Sequence, residues 1–242
     1  MDHTSELADG GTTYYLEVPD TGGTNHDTAL FIPDKYQYDT ATRLILYYHG
    51  WTRGNPDVRS YLHWTTPLPM RKILASDGRF ALAMPWLGVK AQEFGHITGS
   101  AKAFDGYLNA VISAIRSHAT GSGGSGAPPA VQLILVAHSG GGDPLDATII
   151  LASPFVKAVQ DVWGFDCFYT DRSERWIHWA NADKDNHHLT INYIDTGTEK
   201  NNTAPTSRKI GGSTGKNAPT HEVGDHENMP KNLLPGLLKT IK

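Results

Sequence analysis

The chain of 242 residues contains a single cysteine, Cys167. That excludes an intrachain disulfide, a cysteine metal cluster and a dithiol redox pair, and a lone thiol of this kind reads as a small buried residue rather than a nucleophile. Basic residues are not in excess: Lys and Arg total 21 against 25 Asp and Glu, a net charge of −4, so no cationic field is offered to nucleic acid or to an anionic membrane. No apolar run has the length of a membrane-spanning helix, and Met1-Asp2-His3-Thr4-Ser5-Glu6 lacks the basic and apolar parts of a signal peptide. The abundance of Gly, Thr, Asn and Trp suits an exported enzyme whose leader has been removed. What remains is a chain expected to meet small or neutral partners, long enough for one α/β domain that buries its own core.

The densest signal lies at 131–144, Val-Gln-Leu-Ile-Leu-Val-Ala-His-Ser-Gly-Gly-Gly-Asp-Pro. An apolar run without alternation predicts a strand buried on both faces, and it stops at Ser139, between His138 and three glycines. Strand, sharp turn, serine and helix form the layout of a nucleophile elbow, usually Gly-x-Ser-x-Gly; here Ala137 replaces the first glycine. Phosphate-binding loops compete for such a pattern, but no Lys-Ser/Thr pair follows and no Gly-x-Gly-x-x-Gly spacing is present. A plain structural turn is the other competitor. Gly140-Gly141-Gly142 before Pro144, with Asp143 as N-cap, predicts a loose turn ahead of a helix that runs to about 152, which would keep the helix dipole from acting directly on Ser139.

Elsewhere the pattern alternates strands and helices. Residues 12–18 and 28–33 read as a hairpin around Gly-Gly-Thr-Asn, 43–48 as a central strand emptying into His49-Gly50-Trp51, 70–75 as a short helix and 80–86 as a strand. Apolar residues at spacings of three and four make 103–118 an amphipathic helix. Residues 156–163 read as a strand, 172–181 as a helix, 188–195 as a strand, 196–219 as a long polar loop, 220–223 as strand-like and 233–241 as a closing helix. Gly121-Ser122-Gly123-Gly124-Ser125-Gly126 has linker composition. A domain boundary is rejected there because the strand at 131 needs the preceding elements to cover both faces, so one domain is expected over 1–242. Together this predicts an α/β class with a mostly parallel sheet.

Other signals point to no metal. Asp183-Lys184-Asp185-Asn186 lacks the glycine and terminal glutamate of a calcium loop and reads as a solvated turn. His187-His188, with His178 upstream, would be sent to opposite faces of a strand. Asn201-Asn202-Thr203 matches a glycosylation acceptor pattern too common to carry weight.

With the strand ending in His49-Gly50-Trp51, the elbow at 137–141, an acid after a later strand and a histidine near the C-terminus, the chain resembles the α/β-hydrolase superfamily, its small serine esterases and lipase-like members, over residues 28–241. The resemblance implies the α/β-hydrolase fold, a mostly parallel sheet with helices on both faces and no large cap, with no cofactor and with a small-molecule or polymeric ester as substrate. The triad order Ser, acid, His of that family falls on Ser139 as nucleophile and His226 as base, with His221 as the nearest rival. Two acids fit. Asp166 follows an apolar strand, where an unpaired carboxylate would be costly, and is favoured; Asp195 is the alternative, and also fits a turn before Gly197. The family pattern assigns the oxyanion donors to the amides of Gly140 and Trp51. Trp51 and Trp86, at inferred strand ends, either line an apolar cleft over Ser139 or pack in the core. His138 is expected to orient the turn or border the substrate, and His49 to shape the oxyanion loop. The same triad would serve amide or peptide hydrolysis, or acyl transfer to an acceptor other than water; a non-catalytic binding protein on a degenerate hydrolase fold is the competing reading from another class.

Overall fold

Alternate residues of two central strands serve two separate cores. Leu44, Leu46 and Tyr48 of one strand and Leu133, Leu135 and Ala137 of the next face one apolar cluster, while Ile45, Tyr47, Ile134 and Val136 face the other. Both faces are therefore covered, which is why these runs are apolar without alternation. In this computed structural model residues 4–38, 41–63, 67–120, 130–195, 203–215, 220–222 and 224–241 are described. In chain order the elements are β1 Thr4–Ala8, β2 Gly11–Pro19, β3 Asn25–Pro33, β4 Ala41–Tyr48, α1 Val58–Leu62, α2 Pro67–Asp77, β5 Ala81–Pro85, α3 Gly95–Thr98, α4 Ala101–Thr120, β6 Ala130–His138, α5 Gly142–Thr148, α6 Pro154–Lys157, β7 Asp161–Phe165, α7 Ser173–Ala182, β8 His188–Tyr193, α8 Ala204–Thr214, β9 Thr220–Glu222 and α9 Met229–Leu238.

The strands form one sheet in the order β1-β2-β3-β5-β4-β6-β7-β8-β9. From β5 to β9 every pairing is parallel, and β1, β2 and β3 add an antiparallel edge. Phe104, Leu108, Val111, Ile112 and Ile115 of α4 and Trp176 of α7 cover one face; Val58, Met70, Leu74, Leu234 and Leu238, from α1, α2 and α9, cover the other. After β4 the chain goes to one side for β5 and returns to the other for β6. Such a switch point leaves a crevice at the C-terminal strand ends, where open α/β sheets place their ligands.

Several elements differ from the sequence expectation. Residues 4–8, to which the sequence pattern assigns no element, form edge strand β1, held by its register on β2. The run 156–163 is divided: Ser153 caps α6 through the amides of Phe155 and Val156, and β7 begins only at Asp161. Ser153-Pro154 starts a helix here. Part of the supposed loop 196–219 is α8, whose Ala204, Ser207 and Ile210 are buried; packing against α7, β8 and β9 overrides the poor helix propensity of Gly211 and Gly212. The glycine connector 121–126 and Asn201-Asn202 lie outside the described residues. Among the described residues no helix is long and apolar enough to cross a membrane.

Candidate active site

Three adjacent parallel strands, β4, β6 and β7, end together: Tyr48 pairs with Ala137 and His138 with Phe165. The residues that follow these ends, Gly50 and Trp51, Ser139, and Asp166, are thereby brought to one edge of the sheet. Ser139 has φ of 54° and Asp166 φ of 45°. Non-glycine residues adopt that left-handed region at a cost, and persist there where the surroundings over-determine the backbone.

The turn at Ser139 is tight, contrary to the expectation of a loose one. Ser139–Gly141 forms a 3-10 turn that passes directly into α5 at Gly142, whose N-cap is Gly141. Asp143 lies in the first turn and is not the cap. The glycines are there for want of space. A Cβ on Gly141 would overlap the carbonyl oxygen of Tyr48, and one on Gly142 that of Cys167. Gly50 is as constrained, since its Cβ would lie 2.5 Å from Ser139 Cβ and 2.8 Å from the His138 carbonyl oxygen. The loop after β4 thus packs directly on the serine.

Asp166 and His226 are joined. His226 Nδ1 donates to Asp166 Oδ2 at 2.6 Å, while Oδ1 accepts from the Ile194 amide at 3.2 Å and from the Thr203 hydroxyl. Burial alone would raise this carboxyl, but the hydrogen bonds from His226, Thr203 and Ile194 and the nearby imidazole outweigh it and hold it below the usual carboxylate range. With Nδ1–H given to the acid, Nε2 of the neutral ring carries the free lone pair. Asp195 is engaged elsewhere, with Arg208 at 2.8 Å. The side chain of His221 lies outside the described residues. Among the described residues Ser139 makes no hydrogen bond to His226; its hydroxyl meets the phenol of Tyr169 instead.

His49 is fully buried and fixes the loop after β4. Its Nδ1 donates to the Gly50 carbonyl at 2.7 Å, and its Nε2 accepts from the Leu87 amide at 3.0 Å. Burial lowers its pKa to about 4, so it stays neutral at ordinary pH. Trp86 packs on the His49 ring, with centroids 5.1 Å apart. Trp86 and His138 are not among the residues that border the cavity over Ser139. That cavity, of about 570 Å³, is bordered by Trp51, Lys90, Ser139, Gly140 and Tyr169. Trp51 is 57 % exposed and carries the Arg53 guanidinium 5.8 Å from its ring centre. Arg53 in turn bonds Glu227, beside His226, at 2.6 Å.

Sequence reasoning missed Thr203, Tyr169, Lys90 and the Arg53–Glu227 link. Tyr169 stands three residues after Asp166 in the same loop, a signal that was present; Thr203 was hidden in the stretch read as loop. Cys167 is buried, as expected, and its thiol is pushed up chiefly by that burial. His187 is occupied by the Trp179 carbonyl at 2.7 Å, and Asn186 closes back onto Asp183 at 2.9 Å, as a solvated turn would.

No protein-family model matches the chain, nor does any curated protein. Solved structures do. An S-formylglutathione hydrolase from Agrobacterium tumefaciens superposes with a TM-score of 0.57 at 13 % identity, over 99 % of this chain and 98 % of that one. The feruloyl esterase module from Clostridium thermocellum gives 0.62 at 9 % identity, over 98 % and 93 %. Oligopeptidase B from Leishmania major gives 0.52 at 10 % identity, over 96 % of this chain and 36 % of that one. At such identities the likeness is one of fold, and the chain has the α/β-hydrolase fold.

Proposed function

We propose that the protein is a serine hydrolase that cleaves carboxylic esters through an acyl-enzyme. One observation supports this above the others: a serine on a strained turn stands at the same sheet edge as a buried carboxylate hydrogen-bonded to a histidine. A serine hydroxyl is a weak nucleophile until a base removes its proton. In the proposed reaction the substrate enters, Ser139 Oγ leaves the Tyr169 phenol and gives its proton to Nε2 of His226, and oxygen attacks the ester carbonyl. Asp166 keeps Nδ1 protonated and stabilises the imidazolium. The amides of Gly140 and Trp51 receive the oxyanion, a contribution of about 3 kcal/mol per donor. His226 then protonates the leaving alcohol, and water, activated by the same base, releases the acid. A Ser139 hydroxyl placed against Tyr169 fits this sequence, because catalytic hydrogen bonds in unliganded sites tighten when substrate binds.

The exposed indole of Trp51 and the phenol of Tyr169 flank the serine, and no segment among the described residues covers them as a cap. Bulky or polymeric acyl groups therefore have room. Amide hydrolysis and transfer to other acceptors use the same groups, and product analysis with competing acceptors separates them. The test is hydrolysis of short p-nitrophenyl esters by wild type and Ser139→Ala. Loss of turnover in the variant is expected; undiminished turnover refutes the assignment, and a wild type inert to esters and serine probes alike would favour a binding role.

A further inference from the structure

His138 is the last residue of β6 and directly precedes Ser139. It is 5 % exposed, and its Nε2 lies 2.9 Å from the main-chain carbonyl oxygen of His226. A carbonyl only accepts, so Nε2 carries the hydrogen and donates. The two rings also lie against each other, 4.7 Å apart at 38°. We propose that His138 is a positioning residue: it ties the main chain of the histidine loop to the end of the nucleophile strand, and so sets the register in which His226 meets Asp166 on one side and Ser139 on the other. The inference rests on the triad reading above and extends it to a residue outside the triad.

Three observations favour this over the plainer roles. His138 is not among the residues bordering the cavity, which weighs against a substrate contact. Its Nε2 is spent on a carbonyl, so it is not a second base at that nitrogen. Two other ties on the loop are weaker or local: Arg53–Glu227 joins side chains 51 % and 40 % exposed, where ion pairs contribute little, and Asp225 bonds Asn228, three residues on. The Asp166–His226 bond and the His138 bond are both partly buried links between this loop and the sheet. Burial, with the nearby His226 adding to it, lowers the His138 pKa to about 4. The ring therefore remains a neutral donor throughout the range in which a histidine base works, and the tie does not open when His226 takes its proton.

A displacement of about 1 Å in such a base costs on the order of 100-fold in rate. His138→Ala is expected to lower kcat on p-nitrophenyl butyrate about 30- to 100-fold, with KM within about twofold of wild type, because positioning acts on the chemical step. His138→Gln, whose amide N–H extends as far as Nε2, should recover about tenfold of that loss; His138→Asn, one bond shorter, should not. In an Asp166→Asn background His138→Ala should add less than about threefold, since the partner for which it holds the register is gone. A raised KM at unchanged kcat would make His138 a substrate contact and overturn the proposal. So would full additivity with Asp166→Asn, or equal kcat for the Gln and Asn variants in folded protein; the latter pair decides the matter if the Ala variant does not fold. The triad reading fails separately: it falls if Ser139→Ala stays active, whereas wild-type labelling at Ser139 with no change in His138→Ala sinks only the positioning role.

Discussion

The turn at Ser139 and the loop that carries His226 touch each other yet are held in opposite ways. At the elbow every backbone position is contested: Gly50 packs on Ser139, and Gly141 and Gly142 pack on carbonyls of Tyr48 and Cys167, which belong to chain segments far apart in sequence. Among the described residues the histidine loop is held by hydrogen bonds, from a ring nitrogen to Asp166 and from His138 to a carbonyl, and by an exposed ion pair. The first region stores its geometry in packing, so a change there should cost stability. The second stores it in a few hydrogen bonds, so a change there should cost rate.

The largest effect expected on that contrast is in the acid. Asp166→Asn should lower kcat by about three to four orders of magnitude, the scale seen when a triad histidine loses its orienting carboxylate, whereas Asp195→Asn should stay within about threefold because that side chain serves Arg208. Steady-state kinetics on both variants checks this, and equal losses would return Asp195 to contention. Next comes the elbow. Gly142→Ala forces a methyl onto the Cys167 carbonyl, an overpacking that costs about 1–3 kcal/mol, and a fall in Tm together with activity is expected; a variant of unchanged Tm would show that the turn is not over-determined.

Protons act on both regions. His49 and His138 each have their pKa lowered from 6.5 to about 4 by burial, so between these values the unfolded chain binds protons that the folded chain refuses. Stability held above pH 6.5 is therefore lost as pH falls through this window, with the loss complete near pH 4. Asp166, lowered from 3.8, contributes stability that is present above that value and lost below it. Thermal melts from pH 7.5 to 4 should show Tm falling, and a shallower fall in His138→Gln. Activity should fall as the pH is lowered, because the base must be neutral to take the serine proton; a flat profile down to pH 4 would contradict a histidine base. The smallest expected effect is in Arg53→Ala. Removing an exposed ion pair of about 0.2–1 kcal/mol should lower kcat about two- to fivefold without moving Tm, and a larger loss would mean that the link across the cleft matters more than its exposure suggests.

The sheet was legible in the sequence because its signal is local. Leu44 to Tyr48 and Leu133 to Ala137 are apolar on both faces, and that alone marks central parallel strands. The order of Ser139, Asp166 and His226 was legible too, through the punctuation after each strand. The elbow's rigidity was not. Three consecutive glycines look like freedom along the chain, and become constraint only when Tyr48 and Cys167 arrive from other strands. Helix α8 escaped for a related reason: its Ser, Thr and Gly residues have little helical preference, and burial of Ala204, Ser207 and Ile210 decides the matter. Thr203, which supports Asp166, went unseen with it. His138 was read as a neighbour of the nucleophile, but its partner is a main-chain atom 88 positions away, which no pattern of side chains announces.

The central claim is that Ser139 is a nucleophile activated by His226. Intact-mass measurement after fluorophosphonate treatment, followed by peptide mapping, tests it most directly. One adduct per chain, on the peptide containing Ser139 and absent from Ser139→Ala, is the predicted result. An unmodified wild-type chain, or an adduct on another residue, would contradict it.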